Sequence, residues 1–153
     1  GVAYNKLLEY RKAIECHKKV IQINPNQVPS DTYNNLAINY EQLGELELAK
    51  SYYNKAIEIN PNNVNAYNSL GTLFLALAEH EKAINAFKKA LQIQPNFLKA
   101  QANIANAYTN QLNQIEKAIT ESYKTLSIHH KISKINDEQI AVFRLKHDVQ
   151  QAG

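Results

Sequence analysis

Side-chain amides are the commonest polar chemistry in this chain: 19 Asn and 11 Gln stand against one Cys and five His in 153 residues. A carboxamide offers one acceptor and two donors, which suits pairing with the backbone of an extended peptide whatever its side chains. The amides also have a spacing. Asp31, Asn34, Asn35, Ile38, Glu41 and Gln42 fall on one side of a helix, and their counterparts 34 residues on include Asn65, Asn68, Ser69 and Thr72. The next set is Lys99, Asn103, Asn106, Thr109 and Asn110, and Asn5 with Lys6 stands at the start of the chain. Each such hydrogen bond nets only about 0.5–1.5 kcal/mol, so several must act together on one ligand.

Other chemistries are poorly served. His129 and His130 are adjacent, so on a helix they point about 100° apart rather than toward one metal; His17, His80 and His147 are isolated. No HExxH, Gly-rich phosphate loop or Gly-x-Ser-x-Gly elbow occurs. Glu41, Glu45 and Glu47 crowd a helix end and read as a solvated surface rather than an acid–base pair. The lone Cys16 can form neither an intrachain disulfide nor a cysteine metal cluster; it reads as a buried or half-buried small hydrophobe and points to a cytoplasmic compartment. A catalytic site, a cofactor and a metal are therefore not expected.

The elements that must carry the amides are helices. The composition is 44% hydrophobic with 4 Gly and 4 Pro, too apolar for disorder and too poor in turn formers for a sandwich. No run of 18 apolar residues is present. The net charge of +3 is spread along the chain with no block of like charges, so neither nucleic acid nor a membrane is expected as a partner. Tyr33, Leu36, Ala37 and Tyr40 lie at i, i+3, i+4 and i+7, one face of a helix that Gly44 breaks. A second run, Leu46 to Ile59, carries Ala49, Tyr53, Ala56 and Ile57 and stops before Pro61, because proline disfavours helix in the residue before it. The whole pattern returns after 34 residues: Tyr67, Leu70, Gly71 and Phe74, then Ala83, Phe87 and Ala90, then Pro95. Small residues (Ala49, Ala83, Gly71) let two helices approach, and Tyr53 and Phe87 fill the space beside them. One hairpin cannot bury such a face alone; stacked neighbours do.

This pattern resembles the tetratricopeptide repeat family, whose signature is W-x2-L-G-x2-Y, A-x3-F and P over 34 residues. The resemblance covers residues 1–130 and implies an all-α, right-handed α-solenoid of antiparallel helix pairs. Its units are a truncated first repeat at 1–29, repeats at 30–63 and 64–97, a degenerate repeat at 98–130, and a C-terminal capping helix within 131–153. In the first unit Ala13, His17 and Val20 take the conserved second-helix positions, with Tyr4 and Gly1 left to the first helix, so the chain opens about seven residues into a repeat and reads as a fragment of a longer protein. Val28 and Pro29 lengthen the turn before an N-cap at Ser30 or Asp31. In the degenerate unit Gln101, Ser122 and Thr125 replace pattern residues, an extra residue enters near Asn113, and His130 stands where Pro should be. A polar joint at His129–Lys134 then precedes a last helix, Asn136–Gln151, with Ile140, Phe143, Leu145 and Val149.

The resemblance further implies that the first helices line a concave groove, here Asn5, Asp31, Asn34, Asn35, Ile38, Asn65, Asn68, Ser69, Thr72, Lys99, Asn103, Asn106 and Asn110. The row Asn35, Ser69, Asn103 is similar to the asparagine ladder of O-linked N-acetylglucosaminyltransferase-like superhelices, with Ser69 interrupting it. The family's carboxylate clamp for chaperone C-termini fits poorly, because Asn65 and Ser69 stand where its third-helix Lys and Arg should be. The expected function is a protein–protein interaction scaffold that holds a peptide or partner segment in an Asn-lined groove. Two alternatives differ in class: the substrate-recognition arm of a larger enzyme, such as a glycosyltransferase, with its catalytic domain elsewhere; and a self-association module using exposed terminal faces around Tyr4, Leu7 and Leu8.

Overall fold

The computed structural model describes the backbone of residues 2–151 and the side-chain burial of residues 3–142 and 144. The expectations placed on Gly1, Phe143, Leu145, His147 and Val149 lie outside the described residues or side chains. The described residues form six α-helices and no strand: α1 (Val2–Ile23), α2 (Ser30–Gln42), α3 (Leu46–Ile59), α4 (Val64–Ala76), α5 (His80–Ile93) and α6 (Leu98–Gln151), with one turn of 3-10 helix at Pro25–Gln27. They divide into two compact units, residues 1–111 and residues 112–153.

The first unit is a stack of helix hairpins built as the 34-residue pattern requires. Leu36, Ala37, Ala49 and Tyr53 are fully buried in the α2–α3 hairpin, and Leu73, Ala83, Phe87 and Ala90 in α4–α5. A large ring meets a small residue in each pair. At Gly71 the fit is close enough that a Cβ would lie 2.5 Å from Cε1 of Phe87, so only a missing side chain lets α4 and α5 approach this far. The stack extends into the start of α6: Ala100 and Ala107 are buried against Ala83, Phe87 and Ala90, with Phe97 and Ile104 partly buried beside them. Phe74 belongs to the edge of this cluster and of the preceding one around Leu36, Tyr40 and Tyr53, so the two hairpins share a continuous core.

The hairpin turns follow one design. After α2 the chain passes through Gly44 at φ +78°, with the Gly44 amide donating to the Glu41 carbonyl at 2.9 Å. Thirty-four residues later the same turn is made by Ala78 at φ +57°, where a Cβ crowds its own backbone. At the helix starts the expectation needs correction. Neither Ser30 nor Asp31 caps α2; the N-cap position is Pro29, without a side-chain bond, and both polar residues lie inside the helix. The side chain that does cap is Asn63, which accepts the Ala66 amide at the start of α4.

Both ends of the chain are more continuous than the repeat pattern suggests. α1 runs unbroken from Val2 to Ile23, so residues 1–29 contain no helical hairpin and Asn5 shares a helix with Ala13, Ile14 and His17. Ile14 is its buried residue, with Ala13, His17 and Ile21 half-buried; Val20, expected in a packing slot, is 48% exposed. Cys16 is exposed rather than buried, because it lies about 200° around the helix from Ile14. Tyr4, Leu7 and Leu8 are exposed on the same helix.

α6 extends 54 residues through both the region of the extra residue near Asn113 and the joint expected at His129–Lys134. The boundary expected at 130/131 therefore coincides with no helix end. The reason is compositional: residues 98–151 contain neither Gly nor Pro, the residues that end the earlier helices. Its hydroxyls are satisfied within the helix, as Thr120, Ser122 and Thr125 each donate to the carbonyl four residues back at 2.8–3.0 Å. Within the second unit every described side chain is exposed, including Leu112, Ile115, Ile119, Tyr123 and Leu126.

Two substitutions test this packing. Gly71→Ala must displace the Phe87 ring and is expected to lower unfolding free energy by about 1–3 kcal/mol in urea denaturation, the range for overpacking a close-packed site. Ala78→Gly relieves the left-handed backbone and is expected to raise it by about 0.5–1 kcal/mol, the gain being net of the entropy that glycine adds to the unfolded chain. No change in the first, or a loss in the second, contradicts the packing described.

Candidate functional site: the amide face of the first helices

On α2 and α4 the residues facing away from the core stripe are those the repeat spacing groups together. Taking 100° per residue, Asn65, Asn68, Ser69 and Thr72 occupy one side of α4, and Tyr67, Leu70 and Phe74 occupy the other. The structure links this face across repeats. The Asn103 carboxamide of α6 donates to Oδ1 of Asn68 on α4 at 3.0 Å, a half-buried bond between residues 35 positions apart. The bond joins Asn103 to Asn68 rather than to Ser69. It uses one hydrogen of Asn103 and one lone pair of Asn68, leaving the Asn68 NH2 group and the Asn103 oxygen with further bonding capacity.

One repeat earlier, at the position equivalent to Asn68, Asn34 is 6% exposed and its Oδ1 has no hydrogen-bond partner among the described residues. Buried carboxamide oxygens are ordinarily paired, and leaving one unpaired costs on the order of 1–3 kcal/mol. Asn35, Asn65, Thr72, Lys99, Asn106 and Asn110 are exposed on the same helices, and Ile38 is 36% exposed. Asn5 is exposed but belongs to α1.

Ser69 and Asp31 are engaged elsewhere. Tyr53 of α3 donates its hydroxyl hydrogen to Oε2 of Glu41 on α2 at 2.6 Å, with Ser69 of α4 beside the phenol. Glu41 is thus part of a bridge joining α2 and α3, not a free member of a solvated acidic cluster. Burial, reinforced by the Glu41 carboxylate, pushes the Tyr53 phenol well above its ordinary value, with Ser69 acting in the opposite sense. Asp31 and Ser30 both accept from the Asn63 carboxamide, the former at 2.9 Å, while Asn63 Oδ1 accepts the Ala66 amide at 3.0 Å. One buried asparagine therefore caps α4 and ties it to the start of α2.

Sequence reasoning passed over three features. Asn63 reads as one more turn amide until its partners, more than thirty residues earlier, are seen. Tyr52 stacks with Tyr40 at 5.4 Å and with Tyr33 at 6.4 Å, a cluster signalled only by the i, i+7 spacing of the latter two. Lys50 and Lys82 both sit over the Phe74 ring. Among the described residues no three His, Cys, Asp or Glu side chains converge to hold a metal ion, and no helix is long and apolar enough to cross a membrane.

Comparison with known proteins agrees with this architecture. A model of the tetratricopeptide repeat matches residues 1–62 and 30–96, and the chain belongs to that family. Among solved structures, the first tetratricopeptide domain of Spaghetti (RPAP3) bound to the HSP90 peptide SRMEEVD is 26% identical, with a TM-score of 0.63 over 71% of this chain and 85% of that one. The MamA protein is 29% identical, with a TM-score of 0.62 over 70% of this chain and 57% of that one. A curated relative, the Sol locus transcriptional repressor of Clostridium acetobutylicum, is 31% identical over 70 residues, 46% of this chain but only 21% of its own length. Such arrays are protein-interaction modules, and the amide face is the natural candidate surface on this one.

The Tyr53 bridge carries a pH dependence. A phenol whose folded-state value is raised stabilises the fold in its neutral form; that contribution is complete below the unfolded tyrosine value of about 10 and is lost as pH rises beyond it. Chemical denaturation of the wild type is expected to show stability falling steeply above pH ~10, and Tyr53→Phe to flatten that fall while costing about 1 kcal/mol at neutral pH. Equal alkaline slopes in the two proteins would remove the bridge from the account.

Proposed function

We propose that this chain is a peptide-binding interaction module whose ligand is an extended segment of a partner protein, lying along the amide face of α2, α4 and the start of α6. The observation that carries the reading is the Asn103–Asn68 bond across successive repeats. It holds two carboxamides in fixed relation, with unused donors and an unused acceptor, and a strand of peptide backbone presents complementary groups in regular sequence. Because the bond is made before any ligand arrives, little side-chain entropy is lost on binding. Asn35, exposed on α2 one repeat away, supplies a third carboxamide.

Amides impose a definite selectivity. They bond to backbone and are indifferent to charge, so recognition is set by the extended shape of the segment and by side chains that fit between the first helices, where Ile38 is partly exposed. The related domain of Spaghetti, bound to an HSP90 peptide, supports a peptide as the class of ligand. The charged clamp suited to a C-terminal carboxylate is not matched by Asn65 and Ser69, which favours an internal segment over a chain terminus.

The test is a peptide array followed by titration. A peptide selected by the wild type is expected to lose about a hundredfold or more in affinity to the triple variant Asn35→Ala, Asn68→Ala, Asn103→Ala, at about 1 kcal/mol per lost bond. Unchanged affinity in a variant that retains the wild-type circular dichroism spectrum removes the groove assignment.

A further inference from the structure

A second surface lies on the opposite side of α4. There Tyr67, Leu70 and Phe74 form the floor of an open groove of about 390 Å3 whose wall is α5. The wall residues include Lys82, Asn85, Lys89 and Gln92, on one helix face by their spacing of three, four and three, with Lys88 beside them. No acidic residue lines the groove. Phe74 is flanked by two cations: Nζ of Lys82 from α5 is 5.7 Å from the ring centroid, and Nζ of Lys50 from α3 is 5.9 Å from it. Cation–π attraction holds both ammonium groups at the apolar floor. Lys82 is paired with Glu79; Lys50, Lys88 and Lys89 have no carboxylate within 4.0 Å among the described residues.

The same groove one repeat earlier provides an internal comparison. Between α2 and α3 it is lined by Tyr33, Leu48, Ser51, Tyr52, Lys55 and Glu58 among others. There Lys55, the counterpart of Lys89, is paired with Glu58, the counterpart of Gln92, and Leu48 occupies the place of Lys82. The shared position in the repeat therefore explains the shape of the groove but not its charge. Lys82 and Lys88 have no lysine counterpart in α3, and Lys89 lacks the carboxylate that pairs its counterpart Lys55.

We propose that the α4–α5 groove docks an acidic segment of a partner protein, with an apolar side chain seated on Tyr67, Leu70 and Phe74 and carboxylates meeting Lys50, Lys82 and Lys89. Charge complementarity selects the occupant: the lysines around the apolar floor, of which Lys50 and Lys89 have no carboxylate partner among the described residues, attract anions, and the floor rewards an apolar side chain that a bare polyanion lacks. Carboxylates fit better than phosphate, because the groove supplies separate lysine point charges and no arginine fork to take a phosphate bidentately. A single short groove, rather than a basic track along the molecule, favours a protein segment over nucleic acid. This site lies about 180° around α4 from the amide face and does not depend on it.

The experiment titrates the full chain with a synthetic peptide of alternating Glu and Leu, the same peptide with Gln for Glu, a phosphoserine-for-Glu version, and an oligodeoxythymidine, following affinity by fluorescence anisotropy. The Glu peptide is expected to bind, to weaken with added salt, and to lose about tenfold in the variant Lys82→Gln, Lys89→Gln, whose exposed positions leave folding intact. The pair Asn68→Ala, Asn103→Ala is expected to leave that affinity unchanged, so failure of the amide-face reading and failure of this one are separate results. The proposal is overturned if the Glu peptide does not bind, if the Gln peptide binds as well, if phosphoserine or the oligonucleotide binds more tightly, or if the asparagine pair rather than the lysine pair abolishes binding.

Discussion

Everything in the first unit depends on one fit, a large ring set against a small residue inside each hairpin. Tyr53 and Phe87 are fully buried, opposite Ala37 and Gly71, and they recur at the repeat period. Burying such a ring contributes on the order of 2–3 kcal/mol, and it does so only where the facing helix presents almost no side chain. Once the ring and the small residue have set the spacing within a hairpin, Leu36, Leu73 and the alanines of α3 and α5 are committed to the seam between hairpins. The remaining faces are free of packing duties, and there the polar and charged residues vary.

This division explains which parts of the structure were legible in the sequence. Helices α2 to α5 could be read because their packing residues repeat and because residues that stop helices stand between them: Gly44, Pro61 and Pro95. α6 could not, since the degenerate repeat and the joint at His129–Lys134 followed from the family pattern and local polarity, and no Gly or Pro there forces the chain to leave the helix. α1 was misread for the same reason. Cys16, taken for a buried hydrophobe from its place next to an aromatic slot, sits on the far side of a helix that packs along a single stripe. The polar residues were legible by face but not by partner. Asn103 and Asn68 lie on the expected side of their helices, yet the bond between them depends on the offset between stacked repeats. Asn63 and Glu41 looked like surface residues until the third dimension brought Asp31 and Tyr53 to them.

Charge was legible only in the mean. The surplus of three positive charges is spread along the chain and argues against any basic patch, but Lys50 and Lys82 come from two helices and converge on one ring. A solenoid makes this kind of concentration easy. Each helix contributes one or two residues to a given face, so neighbouring repeats can assemble a patch that no linear window contains. α4 thus separates two chemically different surfaces, neutral and hydrogen-bonding on one side, cationic and aromatic on the other.

The central claim is that the amide face receives the backbone of a partner segment, and its most direct measurement observes the carboxamides themselves. Side-chain NH2 resonances of Asn35, Asn68 and Asn103, assigned by NMR, can be followed while a peptide selected by the wild-type chain is added to saturation. The account predicts that all three shift together along the binding isotherm and that their hydrogens become protected from solvent exchange, while the carboxamides of Asn85 and Gln92 across α4 stay in place. Saturated binding that leaves the three asparagine resonances unmoved would contradict it.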